Sequence, residues 1–180
     1  MFAKMEQRVM GAEHIEFEVE SSGAFESSFE GWIHREGREL AMAAHGVWGG
    51  EPVTVSAETT RDLLVLNTPA QMERVKKEPF LSTAVLIGLT RMGVLHNLAR
   101  LIAGKAPDHD GGGVREWVEA ENIEFVGDDR NSIRFDIIVD GTRSAVATIR
   151  VDPRSGLPLQ REQTVEFSQG SMTVVETYRF

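Results

Sequence analysis

Between His14 and Glu20 the chain alternates strictly, with Ile15, Phe17 and Val19 on one side and Glu16, Glu18 and Glu20 on the other. Successive side chains of an extended strand point to opposite faces, so this period of two predicts a strand with one face in a core and one in water. The pattern constrains the fold because it keeps returning. Residues 24–34 repeat it with Phe25, Ser27, Phe29, Gly31 and Ile33 opposite Glu26, Ser28, Glu30 and Trp32. A third strand follows, with Leu40, Met42 and Ala44 on the inner side. Shorter runs at 52–59 and 62–67, the second carrying Leu63-Leu64-Val65-Leu66, complete a five-strand meander. Further strands are predicted at 114–120, 123–127, 131–140, 143–152, 158–168 and 171–180, giving about eleven in all.

The turns test these faces, because a slip of one residue would invert them. A three-residue loop Ser21-Ser22-Gly23 pairs Val19 with Phe25 and Ile15 with Phe29. A turn at Glu36-Gly37 pairs Ile33 with Leu40, Gly31 with Met42 and Phe29 with Ala44, and sets His34 beside Glu39. Asp140-Gly141 pairs Ile137 with Ser144 and Phe135 with Val146. Gln169-Gly170 pairs Phe167 with Met172, Val165 with Val174, Gln163 with Glu176 and Arg161 with Tyr178. Asp152-Pro153-Arg154-Ser155-Gly156 has turn chemistry. One apolar inner face runs through each hairpin.

Two segments break the period. Residues 2–10 place Phe2, Met5 and Val9 on one side of a short helix that stops at Gly11. Asn67 to Pro79 is polar and reads as containing a helical turn, and Phe80–Ala103 reads as one helix begun after Pro79 and ended by Gly104. Leu81, Ala84, Val85, Gly88, Met92, Leu95, Ala99 and Ile102 fall on one face of it, and Thr83, Thr90, Asn97 and Arg100 on a narrow opposite arc. A helix this apolar must be covered on most sides, so it needs a concave apolar surface to lie in. Gly88 and Gly93 mark a bend or a close approach to the sheet.

Composition removes several functions. A net charge of −9 repels phosphate backbones and disfavours nucleic acid as a partner. The absence of cysteine excludes disulfides, thiolate zinc sites and cysteine nucleophiles. Phe2 to Met10 carries Lys4, Glu6 and Arg8, so it is no leader peptide. The apolar run from Phe80 meets Arg91 before the roughly 18 residues of a membrane span are reached.

Catalytic signals are missing. No nucleophile elbow, Walker loop or dinucleotide fingerprint occurs. Glu16, Glu18 and Glu20 are explained by a solvated strand face. His14, His34, His45 and His96 are scattered; His109, within Asp108-His109-Asp110 beside Gly111-Gly112-Gly113, has the residue types of a weak metal site or of a solvated loop. No catalytic residue, metal or cofactor is assigned, and the chain is read as a binding protein rather than an enzyme. In the last hairpin Arg161, Gln163, Glu176 and Tyr178 share a face with Val165, Phe167, Met172 and Val174. That polar end either reaches solvent or covers a helix end, or it forms the polar rim of an apolar cavity.

Several motifs resemble the LolA/LolB-like periplasmic lipoprotein carriers and their RseB-like relatives. They are Phe2-Ala3-Lys4-Met5, Gly31-Trp32-Ile33-His34-Arg35, Leu63-Leu64-Val65-Leu66-Asn67, and Val151-Asp152-Pro153 with Ser155-Gly156-Leu157-Pro158. The resemblance implies an α+β fold: a strongly curved, unclosed antiparallel β-barrel enclosing a central helical lid or plug. One LolA-like domain is expected over 1–180, with an N-terminal helix at 1–11, a first sheet segment at 14–67, a helical insertion at 70–104 and a second sheet segment at 114–180. The resemblance also implies a periplasmic location, with a leader removed from the chain as given, and a lipid, acyl chain or acylated protein as ligand. Arg35 matches an arginine that matters in those carriers, while Glu36 stands where they have proline. A carrier or sensor of an acylated ligand, monomeric and in contact with an envelope protein partner, is the first expectation. An interaction module with a filled core is the second.

The expected ligand-binding residues lie between sheet and helix. On the sheet they are Phe17, Phe25, Phe29, Ile33, Arg35, Leu40, Met42, Val53, Val55, Leu64 and Phe135. On the helix they are Leu81, Val85, Leu89 and Met92, with Arg161 and Tyr178 at the polar end.

Overall fold

The computed structural model describes residues 2–77, 81–107, 118–127 and 131–180. The expected helix start at Pro79, the Asp108-His109-Asp110 loop with its glycines, and the first part of the 114–120 strand lie outside them. Helix α1 (Phe2–Met10) precedes six strands: β1 (His14–Gly23), β2 (Ser27–Glu36), β3 (Glu39–Trp48), β4 (Glu51–Thr60), β5 (Leu63–Asn67) and β6 (Met72–Lys76). Helices α2 (Leu81–Arg91) and α3 (Val94–Ile102) follow. The chain ends with β7 (Val118–Val126), β8 (Ser132–Val139), β9 (Thr142–Val151), β10 (Pro158–Phe167) and β11 (Gly170–Arg179).

All strand pairs are antiparallel, in one sheet ordered β6-β5-β4-β3-β2-β1-β11-β10-β9-β8-β7. Pairing of β1 with β11 joins the two strand series, while β6 and β7 stay unpaired to each other, so the barrel does not close. This is the unclosed, helix-enclosing architecture that the sequence implies. Its strands divide six and five rather than five and six. The polar stretch after Asn67 forms β6 instead of a helical turn, because Thr68 closes a tight turn with its hydroxyl donating to the Gln71 carbonyl. The two short runs predicted at 114–120 and 123–127 are one strand, β7, kinked by a bulge where Asn122 takes a φ of 51°.

Three of the predicted registers slip by an even number of residues, which preserves every face. Val19 pairs with Phe29 and Ile15 with Ile33, because β1 continues through Gly23 to pair with Met172 of β11. The Ser21 hydroxyl then bridges to Ser27, 2.8 Å away, and leaves Phe25 in the connecting loop. Gly37, with a φ of 59°, opens the next turn, so Ile33 meets Met42 and Gly31 meets Ala44, and His34 faces Ala41 rather than Glu39. The last hairpin turns at Ser168-Gln169, which sets Arg161 opposite Glu176 and Gln163 opposite Val174. The β8–β9 hairpin is different. A bulge between Ile137 and Ile138 moves Phe135 from Val146 to Ala147, an odd shift, so Ala145, Ala147, Ile149 and Val151 are the buried residues of β9.

The helical insertion is also two helices, not one. Gly93 adopts φ 92° and ψ 159°, which breaks the run after Met92 and folds α3 back on α2. Gly88 stays helical; a Cβ there would lie 3.4 Å from Asn97 Oδ1, so the glycine marks the approach of α3. Two residues expected on an outward polar arc are buried instead. Asn97 donates to the Val85 carbonyl at 3.3 Å, and Thr90 donates to the Ile87 carbonyl at 2.9 Å and to Glu6 of α1. Glu6 also receives Arg91 Nε at 2.8 Å, and Arg91 Nη1 reaches the Val118 carbonyl at 2.7 Å. This partly buried pair ties α1, α2 and β7 together. No helix among the described residues is long and apolar enough to cross a membrane.

Candidate functional site

The inner face of the sheet carries two packed clusters. The larger holds Phe17, Phe29, Ile33, Leu40, Met42, Val55 and Leu64 from the sheet with Leu81, Val85 and Leu89 of α2 and Leu98 and Leu101 of α3. The smaller holds Phe2 and Met5 of α1 and Ile87 of α2 against Phe135 and Ile137 of β8 and Ala147 and Ile149 of β9. Each large side chain taken fully out of water contributes about 1.5–3 kcal/mol. Together the clusters fix all three helices on the concave side.

Between them, over β10 and β11, the contact is polar. The Glu176 carboxylate accepts the backbone N–H of Val94 and of Leu95, each at 3.0 Å, so it caps the N-terminus of α3 from across the molecule. Helix N-termini leave such N–H groups without partners and favour a negative charge. The Tyr178 hydroxyl donates to the same carboxylate. Arg161 Nη2 donates to the Arg91 carbonyl at 3.1 Å, at the end of α2. Arg161 and Glu176 are both fully buried. Gly93 is required here: a Cβ would lie 2.5 Å from Glu176 Oε1 and 2.7 Å from Arg161 Nη1. Burial, reinforced by the Glu176 charge, pushes the Tyr178 phenol well above its ordinary range. The polar end of this hairpin face therefore covers a helix end.

Beyond that knot, toward the hairpin turns, α3 and the sheet separate. A cavity of about 620 Å³ opens there, walled by Met92, Leu95, His96 and Ala99 on the helix side. The sheet side consists of Ile137, Ala145, Gln163, Val165, Met172 and Val174. Phe25, Trp48 and Phe167 stand at the mouth, and the Phe25 and Trp48 ring centroids lie 4.6 Å apart. Pairing fixes the depth: Phe167 sits at the turn, Val165 and Gln163 follow inward, and Glu176, paired with the buried Arg161, stands at the inner end. The size falls within the range of about 300–1,000 Å³ usual for small-ligand sites.

The residues expected from sequence divide accordingly. Phe17, Phe29, Ile33, Leu40, Met42, Val55, Leu64, Leu81, Val85 and Leu89 lie together in the large cluster, with Val53 packed against it; Phe135 lies in the small one. Phe25 and Met92 line the cavity. Of the polar hairpin residues Arg161, Glu176 and Tyr178, only Glu176 reaches the cavity wall; Arg161 and Tyr178 are buried and do not line it. Arg35 lies away from all of these and donates from Nε to the Ala12 carbonyl at 3.2 Å, fixing the link between α1 and β1. Sequence reasoning missed Trp48, Val165, Phe167 and Met172 as cavity residues. The signal was present in the alternation of the last hairpin, but the site was sought on the first hairpins.

On the convex face, the His14 and His34 rings lie 6.2 Å apart and His45 Nε2 is 2.7 Å from Glu30. Among the described residues no three histidine or acidic side chains converge on a metal position.

No protein-family model matches the chain, and no curated protein matches it by sequence. Solved structures do. The chain is similar to LprF from Mycobacterium bovis, at 8% identity and a TM-score of 0.44, over 98% of this chain and 89% of that one. It is similar to MucB in the Pseudomonas aeruginosa MucA/MucB complex, at 13% identity and a TM-score of 0.41, over 98% of this chain and 53% of that one. The chain thus spans about half the length of MucB. A domain described as an outer-membrane lipoprotein-sorting protein from Vibrio parahaemolyticus matches at 10% identity and a TM-score of 0.36, over 99% of this chain and 90% of that one.

Proposed function

We propose that this chain is a periplasmic carrier or sensor that holds a hydrophobic ligand, a lipid or the acyl chain of an acylated protein, between α3 and the β10–β11 hairpin. One observation carries the reading: the helices fill one side of the concave sheet and leave an apolar cavity of about 620 Å³ on the other. Leu95, Val165, Met172 and Val174 offer dispersion contacts along its length. Each methylene of an acyl chain buried there contributes about 0.8 kcal/mol, enough for useful affinity without a charged anchor. The resemblance of its short motifs to those of lipoprotein carriers supports both the ligand class and the compartment.

A displacement assay with a fluorescent fatty-acyl probe tests this, alongside native mass spectrometry for co-purified lipid. Binding is expected, and Met92→Glu, which puts a charge on the cavity wall, weakens it. A probe that stays free at every protein concentration would sink the proposal.

A second reading, an interaction module, draws on β7. This strand pairs with β8 alone among the described residues, and it exposes Ile123 and Phe125. Such an edge suits addition of a partner strand. Recovery of one stoichiometric protein partner, with no bound lipid, would favour it.

A further inference from the structure

Gln163 places an amide on the wall of the cavity. It is 6% exposed and lies on the inner face of β10, one rung inward of Val165. Of its neighbours on that face, Glu176 accepts the α3 N–H groups, Tyr178 donates to Glu176, and Arg161 donates from Nη2 alone to the Arg91 carbonyl, with its Nε and Nη1 enclosed beside Glu176. The Gln163 amide makes no hydrogen bond to any described residue. An amide offers two donors and two acceptor positions, and buried polar side chains are as a rule satisfied. A leucine would line this volume without bringing a polar group to it. A polar group left open at the closed end of an apolar cavity points to a polar group on whatever enters it.

The surroundings set the charge of that group. Among the described residues no lysine or arginine lines the cavity; its other polar wall groups are Ser144, Ser168, Gln169, the His96 imidazole and Glu176. Glu176 is balanced by Arg161 and the α3 N-terminus, and Arg161 is buried beneath the floor. A carboxylate or phosphate brought to Gln163 would be stripped of water with no cation to meet it, which strongly disfavours the charged form. A hydroxyl suffers no such penalty, and it matches an amide as both donor and acceptor.

We propose that the cavity takes an uncharged, hydroxyl-bearing acyl lipid of the monoacylglycerol kind. Its polar end lies against Gln163, and its chain runs past Val165 and Met172 to the aromatic mouth. This rests on the carrier reading above and narrows it, making fatty-acid anions poor ligands.

Monopalmitoylglycerol and palmitate, equal in chain length, are compared as competitors of one fluorescent amphiphile. The pH is held near about 8, well above the ordinary carboxylate range, so that palmitate in water is ionised. The glyceryl ester is expected to displace the probe about tenfold more effectively. In Gln163→Leu its advantage falls to within about threefold, through loss of affinity for the ester alone. Gln163→Met is the substitute if the leucine variant does not fold. Equal or tighter binding of palmitate, or an advantage that survives loss of the amide, overturns the headgroup assignment and leaves the carrier reading standing. Failure of both lipids to displace the probe overturns the two together.

Discussion

Helix α3 meets the two parts of the sheet in different ways. Toward β4 and β5, Leu98 and Leu101 share a cluster with Val55, Leu64 and Leu66, all at 0–1% exposure. Toward β10 and β11, Met92, Leu95 and Ala99 of the same helix face Val165, Met172 and Val174 across open space. The side chains explain the contrast. On the packed side, long apolar residues alternate with regularity. On the open side, β9 contributes Ala145 and Ala147 where larger residues would reach the helix. There, too, the helix end is held by a carboxylate, an arginine and a tyrosine that stand between it and the sheet. An apolar contact contracts until no gap remains; a polar prop fixes a distance. The cavity exists because one end of α3 is propped.

If that is right, the largest effect comes from removing the prop. Glu176→Ala strips two N–H groups of their acceptor and leaves Arg161 buried without a counter-charge, a loss of about 3–5 kcal/mol in urea unfolding. A variant as stable as wild type would show that the prop holds nothing. Leu98→Ala, on the packed side, is expected to lose about 2–5 kcal/mol, since it opens a void among side chains that cannot collapse. Phe167→Ala at the cavity mouth changes stability by no more than about 0.5 kcal/mol. Similar losses from both would erase the distinction between the two sides.

The prop also has an alkaline signature. Tyr178 is the sole tyrosine of the chain, so phenolate absorbance reports on it alone. Its phenol is raised by burial first and by the Glu176 charge second, so the folded state holds the proton more tightly than the unfolded chain does. The stability this provides is complete below the ordinary tyrosine value of about 10 and is lost as pH climbs past it. Phenolate should therefore be absent from the native protein near that pH and appear together with unfolding. A simple titration near 10 in protein that remains folded would contradict the buried geometry.

The alternation of apolar and acidic residues from Ile15 to Glu20 is enough to predict a half-buried strand, and even-numbered register slips leave its faces untouched. The sheet was legible for that reason. The bulge opposite Ile137 was not, because one extra residue in a strand leaves the local composition unchanged while inverting every face beyond it. The break at Gly93 was visible only as a glycine; that it splits the helix depends on Glu176, some 80 residues away in sequence, waiting to cap the new N-terminus. The same holds for the cavity. Residues Phe17 to Leu64 have the apolarity of a binding surface, and nothing in their sequence tells a packed wall from an open one. That difference is decided by how far the prop holds α3 from β10, a contact between distant segments.

The most direct test is to fill the space without touching the prop. Val165→Trp places an indole in the cavity from the sheet side, two residues outward from Gln163 on β10. The account predicts that the folded variant no longer binds a fluorescent acyl probe while its melting temperature stays near or above that of wild type. Undiminished probe binding in a folded Val165→Trp protein would contradict it.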